Sequence, residues 1–193
     1  MAPKRARDGH FVFEEYPDFK PNLSPKEIFA LGSFGGTYWR PIDSVFYKTK
    51  LRNKHLNYPA SWWRGIPESH LTSPWDKYDP AKNKYNVTVG TTLEYWECKG
   101  WIKKSHPYGW VHWYCDFFLG KRCDDDARQV ARWKKLAGQH GRFMRFLVTQ
   151  IEKKKADWRD ETVSPKIRQT LQHWGYVLTK KDYEYELERK PRG

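Results

Sequence analysis

The chain has 193 residues, eleven tryptophans and a formal net charge of +13, with 38% hydrophobic and 17% aromatic residues. Mean hydropathy is −0.95, and no apolar run approaches the roughly 20 residues that cross a bilayer, which excludes a helical membrane protein. The cysteines Cys98, Cys115 and Cys123 are odd in number and irregularly spaced, which excludes a disulfide framework and suits a reducing compartment, nucleus or cytosol.

The length fits one domain, and the fold class expected is mainly α, a single compact helical domain. Residues 1–10 carry Lys4-Arg5-Ala6-Arg7 and no apolar periodicity, so they predict a disordered basic tail. That cluster is also a minimal nuclear-import-like signal, and no secretory signal opens the chain. The globular domain is expected over 11–187, irregular and rich in aromatics and prolines over 11–90, helical over 91–187, with 188–193 a charged tail.

Ser24-Pro25-Lys26-Glu27 combines an N-cap Ser, a Pro at the first helical position and a Glu three residues on, and predicts a helix from Pro25 to Leu31 that stops at Gly32. Pro41, Pro59, Pro67, Pro74 and Pro80 then interrupt periodicity, leaving short turns and room for one strand pair around 43–48 and 84–89. Thr91 and Thr92 can cap a helix Leu93–Lys99. Trp110, Trp113, Tyr114, Phe117 and Phe118 recur at helical spacing and predict an apolar central helix over Gly109–Leu119. Asp124-Asp125-Asp126 opens a helix to about Ala137, its charges suited to the positive helix end. A helix Arg142–Lys153 follows, with Phe143, Phe146, Leu147, Gln150 and Ile151 along one face. Ser164-Pro165 repeats the Ser-Pro opening for a helix to Trp174, and Thr179 can cap a last helix, Lys180–Leu187.

Several patterns suggest chemistry. His112 and Asp116 stand four apart on the central helix, so they share a face, the arrangement of a general base oriented by a carboxylate. A polar strip satisfying its own hydrogen bonds explains them as well. Three consecutive Asp residues cannot face one ion, since helical neighbours diverge by about 100°, and the cysteines and histidines lack the close pairing of a zinc site. No metal or cofactor is expected. Gly32-Ser33-Phe34-Gly35-Gly36 lacks the Lys-Ser/Thr of a phosphate loop, though its backbone N–H groups offer an anion nest.

The charge is uneven: residues 1–100 carry +4 and residues 101–193 carry +9. Arg128, Arg132 and Lys135 fall at i, i+4 and i+7, and Arg142 and Arg145 follow on the next helix, with Arg122 just before. Arg168 and Gln172 lie at successive turns of the Pro165–Trp174 helix, where such side chains can read base edges. Basic residues adjoin tryptophans throughout, and flat rings among cations suit a polyanion with flat faces of its own. Most tryptophans should nevertheless fill the core.

As strings, Gly32-Ser33-Phe34-Gly35-Gly36-Thr37-Tyr38-Trp39, the run from Gly100-Trp101-Ile102 through Tyr108-Gly109-Trp110-Val111-His112-Trp113-Tyr114-Cys115-Asp116 to Arg132-Trp133-Lys134, and Ser164-Pro165 to Gly175-Tyr176 resemble a family of uncharacterised proteins of fungi, algae and some large DNA viruses. The resemblance runs roughly from Pro17 to Tyr176. It implies a stand-alone protein and, with no activity or fold established for that family, carries over no catalytic residue.

The first expectation is therefore a nucleic-acid-binding protein, with DNA or RNA as partner and weak sequence preference. Its contacts would be Arg122, Arg128, Arg132, Lys135, Arg142, Arg145, Arg168 and Gln172, with exposed rings such as Trp101, Trp133 or Trp158 stacking on bases. The alternatives are a small enzyme acting on nucleic acid or a nucleotide, with His112 and Asp116 as acid and base and Arg122 or Arg128 on phosphate, and a structural or protein-interaction module. Pocket enclosure separates the enzyme from the binder.

Overall fold

In the computed structural model, which describes residues 3–44 and 48–189, the helix start signals translate directly into helices. Ser24 Oγ accepts from the Glu27 N–H at 3.2 Å while Glu27 Oε2 accepts from the Ser24 N–H at 2.7 Å, and this reciprocal cap opens α1 (Pro25–Ala30). Thr92 Oγ1 accepts from the Tyr95 N–H and opens α2 (Leu93–Cys98). The remaining helices are α3 (Trp110–Phe118), α4 (Asp126–Leu136), α5 (Arg142–Lys154), α6 (Pro165–His173) and α7 (Lys180–Arg189). The described chain is thus mainly helical, with seven α-helices among the described residues.

α3 is the centre. Every residue of it but Asp116 is buried, and it packs on α1 and α4, while α5 packs on α4, α6 and α7. The core is largely aromatic: the Phe19 ring lies 5.8 Å from Trp113, 5.9 Å from Tyr114, 5.7 Å from Phe117 and 5.1 Å from Trp133, mostly tilted or edge-on as ring quadrupoles favour. The inner stripe of α5 is Met144, Leu147, Val148 and Ile151, so Phe146, expected inside, is 48% exposed.

The proline-rich half forms short 3₁₀ turns rather than helices. Turns at Ala60–Trp62, Glu68–His70 and Trp75–Lys77 each follow a proline, and Pro80–Lys82 begins with one, because a fixed φ favours the first turn while the missing N–H ends any ladder.

Two expectations are corrected here. Among the described residues of the basic segment, expected as a disordered tail, β1 (Lys4–Arg5) runs antiparallel to β2 (Phe11–Val12). Arg5 bonds Glu27 at 2.5 Å and lies 4.4 Å over the Phe11 ring, which gives this short hairpin an anchor invisible in local composition. The second correction concerns the strand pair, which is local: β3 (Ile42–Ser44) pairs with β4 (Thr49–Leu51), and 45–47 lie outside the described residues. The segment 84–89, expected as the partner, is a loop held by Asn83, whose Nδ2 donates to Val87 O at 2.8 Å. α7 takes in residues 188 and 189 of the expected charged tail, and the rest of that tail lies outside the described residues.

Candidate nucleic-acid interface

The helical half and the proline-rich half meet around a cleft of about 520 Å³. α4 contributes Arg132, Lys135 and Leu136, and α5 contributes Arg142 and Phe143. The end of α6 supplies His173 and Trp174, the start of α3 supplies Trp110, and Trp96 and Trp101 come from α2 and the turn after it. The facing side is built by Phe34, Tyr38, Arg40, Trp75 and Tyr78. Tyr38 ties the two sides together: its hydroxyl donates to Tyr108 O at 2.7 Å and accepts from the His112 N–H at 2.8 Å. Gly35 is required where it stands, because a Cβ there would lie 2.6 Å from the Tyr78 ring.

The described lining charges are of one sign. Arg40, Arg132, Lys135 and Arg142 line the cleft, and among the described residues lining it there is no Asp or Glu. Three of these cations lie over rings: Arg40 at 5.1 Å from Trp75, Arg132 at 5.4 Å from Trp174 and Arg142 at 4.9 Å from Phe143. Arg132 also donates to Gln129 Oε1 at 3.0 Å and to Trp101 O at 3.3 Å. Burial, then the neighbouring Arg128, lower its pKa to about 10, which leaves it charged at neutral pH. At the rim Trp75 and Trp101 are 40% and 44% exposed.

Two lining residues, Trp110 and His173, are themselves buried and carry N–H groups. Trp110 is buried and its indole Nε1 has no hydrogen-bond partner. His173 Nε2 accepts from the Phe34 N–H at 3.1 Å and lies 3.0 Å from Gln169 Nε2. An accepting Nε2 puts the proton on Nδ1, and burial lowers the pKa of the ring to about 3, so it is a neutral donor.

Of the sequence-predicted contacts, Arg132, Lys135, Arg142 and Trp101 come together in this cleft; the others do not. Arg128 is clamped by Asp125, with bonds of 2.5 and 2.7 Å. Arg122 bonds Glu15 at 2.7 Å and lies 4.0 Å over Phe117, and Arg145 pairs with Glu186 at 3.5 Å. Arg168 and Gln172 are corrected outright. Both are buried: Arg168 donates to Val163 O and Trp158 O at 3.0 Å each, and Gln172 Nε2 donates to Ile28 O at 3.1 Å and Gly32 O at 2.8 Å. They satisfy backbone carbonyls inside the fold, so neither is placed to read a base. Trp133 is 2% exposed and donates to Trp174 O at 2.8 Å, a core ring rather than a stacking platform. Trp158 is half-buried and lines a separate cavity of about 180 Å³.

The acid–base pair is also corrected. His112 is 1% exposed, and neither ring nitrogen has a hydrogen-bond partner. Burial, then His106, hold its pKa down to about 3. Its ring packs edge-on against Trp39 at 5.6 Å and His106 at 5.1 Å. Asp116 accepts from Lys121 at 2.9 Å and pairs with His106 Nε2 at 3.5 Å instead. Burial raises the Asp116 pKa, and the bonds from His106 and Lys121 more than reverse that, holding the carboxyl well below the usual range. Helical spacing brought the two residues to one face but not into a bond.

The glycine-rich turn spends four of its N–H groups inside the fold, which argues against an anion nest: Gly32 on Phe29 O at 3.0 Å, Phe34 on His173, Gly35 on Asn83 Oδ1 at 2.8 Å and Gly36 on Ser33 O at 3.1 Å. In the Asp triplet, Asp126 Oδ1 accepts from Trp113 Nε1 at 2.7 Å and Oδ2 from the Cys123 N–H at 3.0 Å, so it fastens α4 to α3. Among the described residues no group of His, Cys, Asp and Glu is placed to hold a metal ion.

Sequence reasoning missed Arg40, Trp75, Trp96, Trp110, Trp174 and His173 as site residues. The adjacency of Trp39 and Arg40 was a visible signal; the convergence of distant loops on one cleft was not. Comparison with protein-family models, curated proteins and solved structures finds no match to this chain.

Proposed function

We propose that the protein binds nucleic acid through this cleft and its basic rim. The observation that carries the reading is the coincidence, in one concave space, of four cations and many ring faces, with no carboxylate among the described lining residues. The described lining charges are all positive, which disfavours a cationic ligand and favours an anionic one. Nucleic acid supplies both complements, phosphate for Arg and Lys and flat bases for the indoles. Contacts of this kind place a strand without reading its sequence, so base preference is weak.

The test is equilibrium binding of labelled DNA and RNA oligonucleotides across a salt series. Affinity that falls as salt rises supports the reading. Absent binding, or binding indifferent to salt, overturns it, because counterion release accompanies every phosphate contact.

A further inference from the structure

We infer that the cleft is a pocket for one unpaired nucleotide, its base held between the aromatic walls and its phosphate among Arg132, Lys135 and Arg142. This rests on the nucleic-acid reading and specifies the unit that the site takes.

Depth is the first argument. A groove that only tracks a backbone is shallow, whereas here Tyr108, Trp110 and His173 are core residues that also line the cleft. The exposed rings Trp75 and Trp101 stand at its mouth. Its volume of about 520 Å³ falls within the roughly 300–1,000 Å³ of pockets that enclose one small ligand. A paired base has its faces covered by its own stack, so only an unpaired or extruded base can offer a face to these rings.

The unfilled donors are the second. A buried N–H without an acceptor is unfavourable, and the Trp110 indole N–H is such a group. The proton on His173 Nδ1 adds a donor, since Nε2 is occupied as an acceptor. Bases and sugars carry ring nitrogens, carbonyls and hydroxyls that accept from such donors. Charge is the third: the cations of α4 and α5, Arg132, Lys135 and Arg142, border the aromatic space. A nucleotide has this layout, a flat uncharged body joined to an anion.

The same chemistry is offered by an unpaired nucleotide within a strand and by a free nucleoside monophosphate. The experiment therefore measures binding of the full chain to four oligonucleotides of equal length by fluorescence anisotropy: a single strand, a perfect duplex, a duplex with one bulged nucleotide, and that duplex with the bulged residue abasic. In parallel, adenosine and uridine monophosphate are titrated against the intrinsic tryptophan fluorescence. The expected result is binding to the single strand and the bulged duplex about tenfold or more tighter than to the perfect duplex, with the abasic form falling to the duplex level, given the usual strength of base–aromatic stacking. Trp101→Ala, a change at the exposed rim, should lower single-strand affinity by about tenfold.

Equal affinity for bulged, abasic and perfect duplexes overturns the pocket while leaving nucleic-acid binding intact. Saturable binding of a monophosphate with no binding of any strand upholds the pocket, identifies the free nucleotide as its ligand and overturns the strand-binding reading. Neither strand nor monophosphate binding overturns both.

Discussion

Neutralising the three cations that α4 and α5 place in the cleft tests whether binding depends on that site or on net charge alone. The variant is Arg132→Gln with Lys135→Gln and Arg142→Gln, which removes charge while keeping each side chain polar and flexible. Each phosphate neutralised on a single strand contributes about −0.7 to the slope of log affinity against log salt. Three contacts therefore supply a slope of about −2, or roughly twentyfold in affinity between 50 and 200 mM salt. Arg132, with its pKa lowered only to about 10, counts fully at neutral pH. The triple variant should flatten the measured slope by about 2. The control pairs Arg122→Gln with Arg145→Gln, which removes charges engaged by Glu15 and Glu186 outside the cleft and should leave the slope unchanged. A triple variant with the parental slope, or a control that flattens it equally, would refute the assignment of phosphate contacts to this site.

Two further outcomes follow from burial. His112 and His173 have pKa values near 3 in the fold, against an ordinary value of about 6.5 in the unfolded chain. Between those values the unfolded chain takes up protons that the folded one refuses, so stability is full above about pH 6.5 and falls as pH drops toward 3, by up to about 1.4 kcal/mol per pH unit for each histidine. Urea midpoints from pH 7.5 to 4.5 measure this, and His112→Phe should roughly halve the dependence; an unchanged slope would show that His112 protonates freely in the fold. Trp133→Ala should cost about 3–5 kcal/mol of stability by opening a cavity under Trp174, while Trp101→Ala changes it by no more than about 0.5 kcal/mol; denaturant curves for the pair check that division between core and rim.

What was legible in the sequence was local. Ser24, Pro25 and Glu27 fix the start of α1 because a capping box is written within four residues, and the ring spacing of α3 announces a central helix in the same way. The cleft was half legible. Arg128, Arg132 and Lys135 share a stripe by periodicity, but only Arg132 and Lys135 line the cleft, since Asp125 holds Arg128 one turn away. Arg168 and Gln172 look like a wet helical face because their types are polar. Gln172 is buried because α1 and the turn after it cover α6, and their carbonyls at Ile28 and Gly32 take its amide N–H groups; Arg168 is buried because its guanidinium bonds the carbonyls of Trp158 and Val163. Of the opposite wall only Arg40, beside Trp39, left a trace in the sequence. Trp75 and Tyr78 reach that wall through a proline-rich path fastened by long-range bonds such as Gly35 N–H to Asn83, and no periodicity records a contact between residues that far apart.

The central claim is that strand contact occurs at the rings of this cleft, and photocrosslinking locates contact residue by residue. A single-stranded oligonucleotide carrying one 5-iodouridine is irradiated in complex with the protein, and the adducts are mapped by mass spectrometry. The account predicts adducts on Trp101, Trp75 or Phe143, lost when excess unlabelled single strand competes. Adducts confined to rings away from the cleft, such as Phe146 or Trp158, would contradict it.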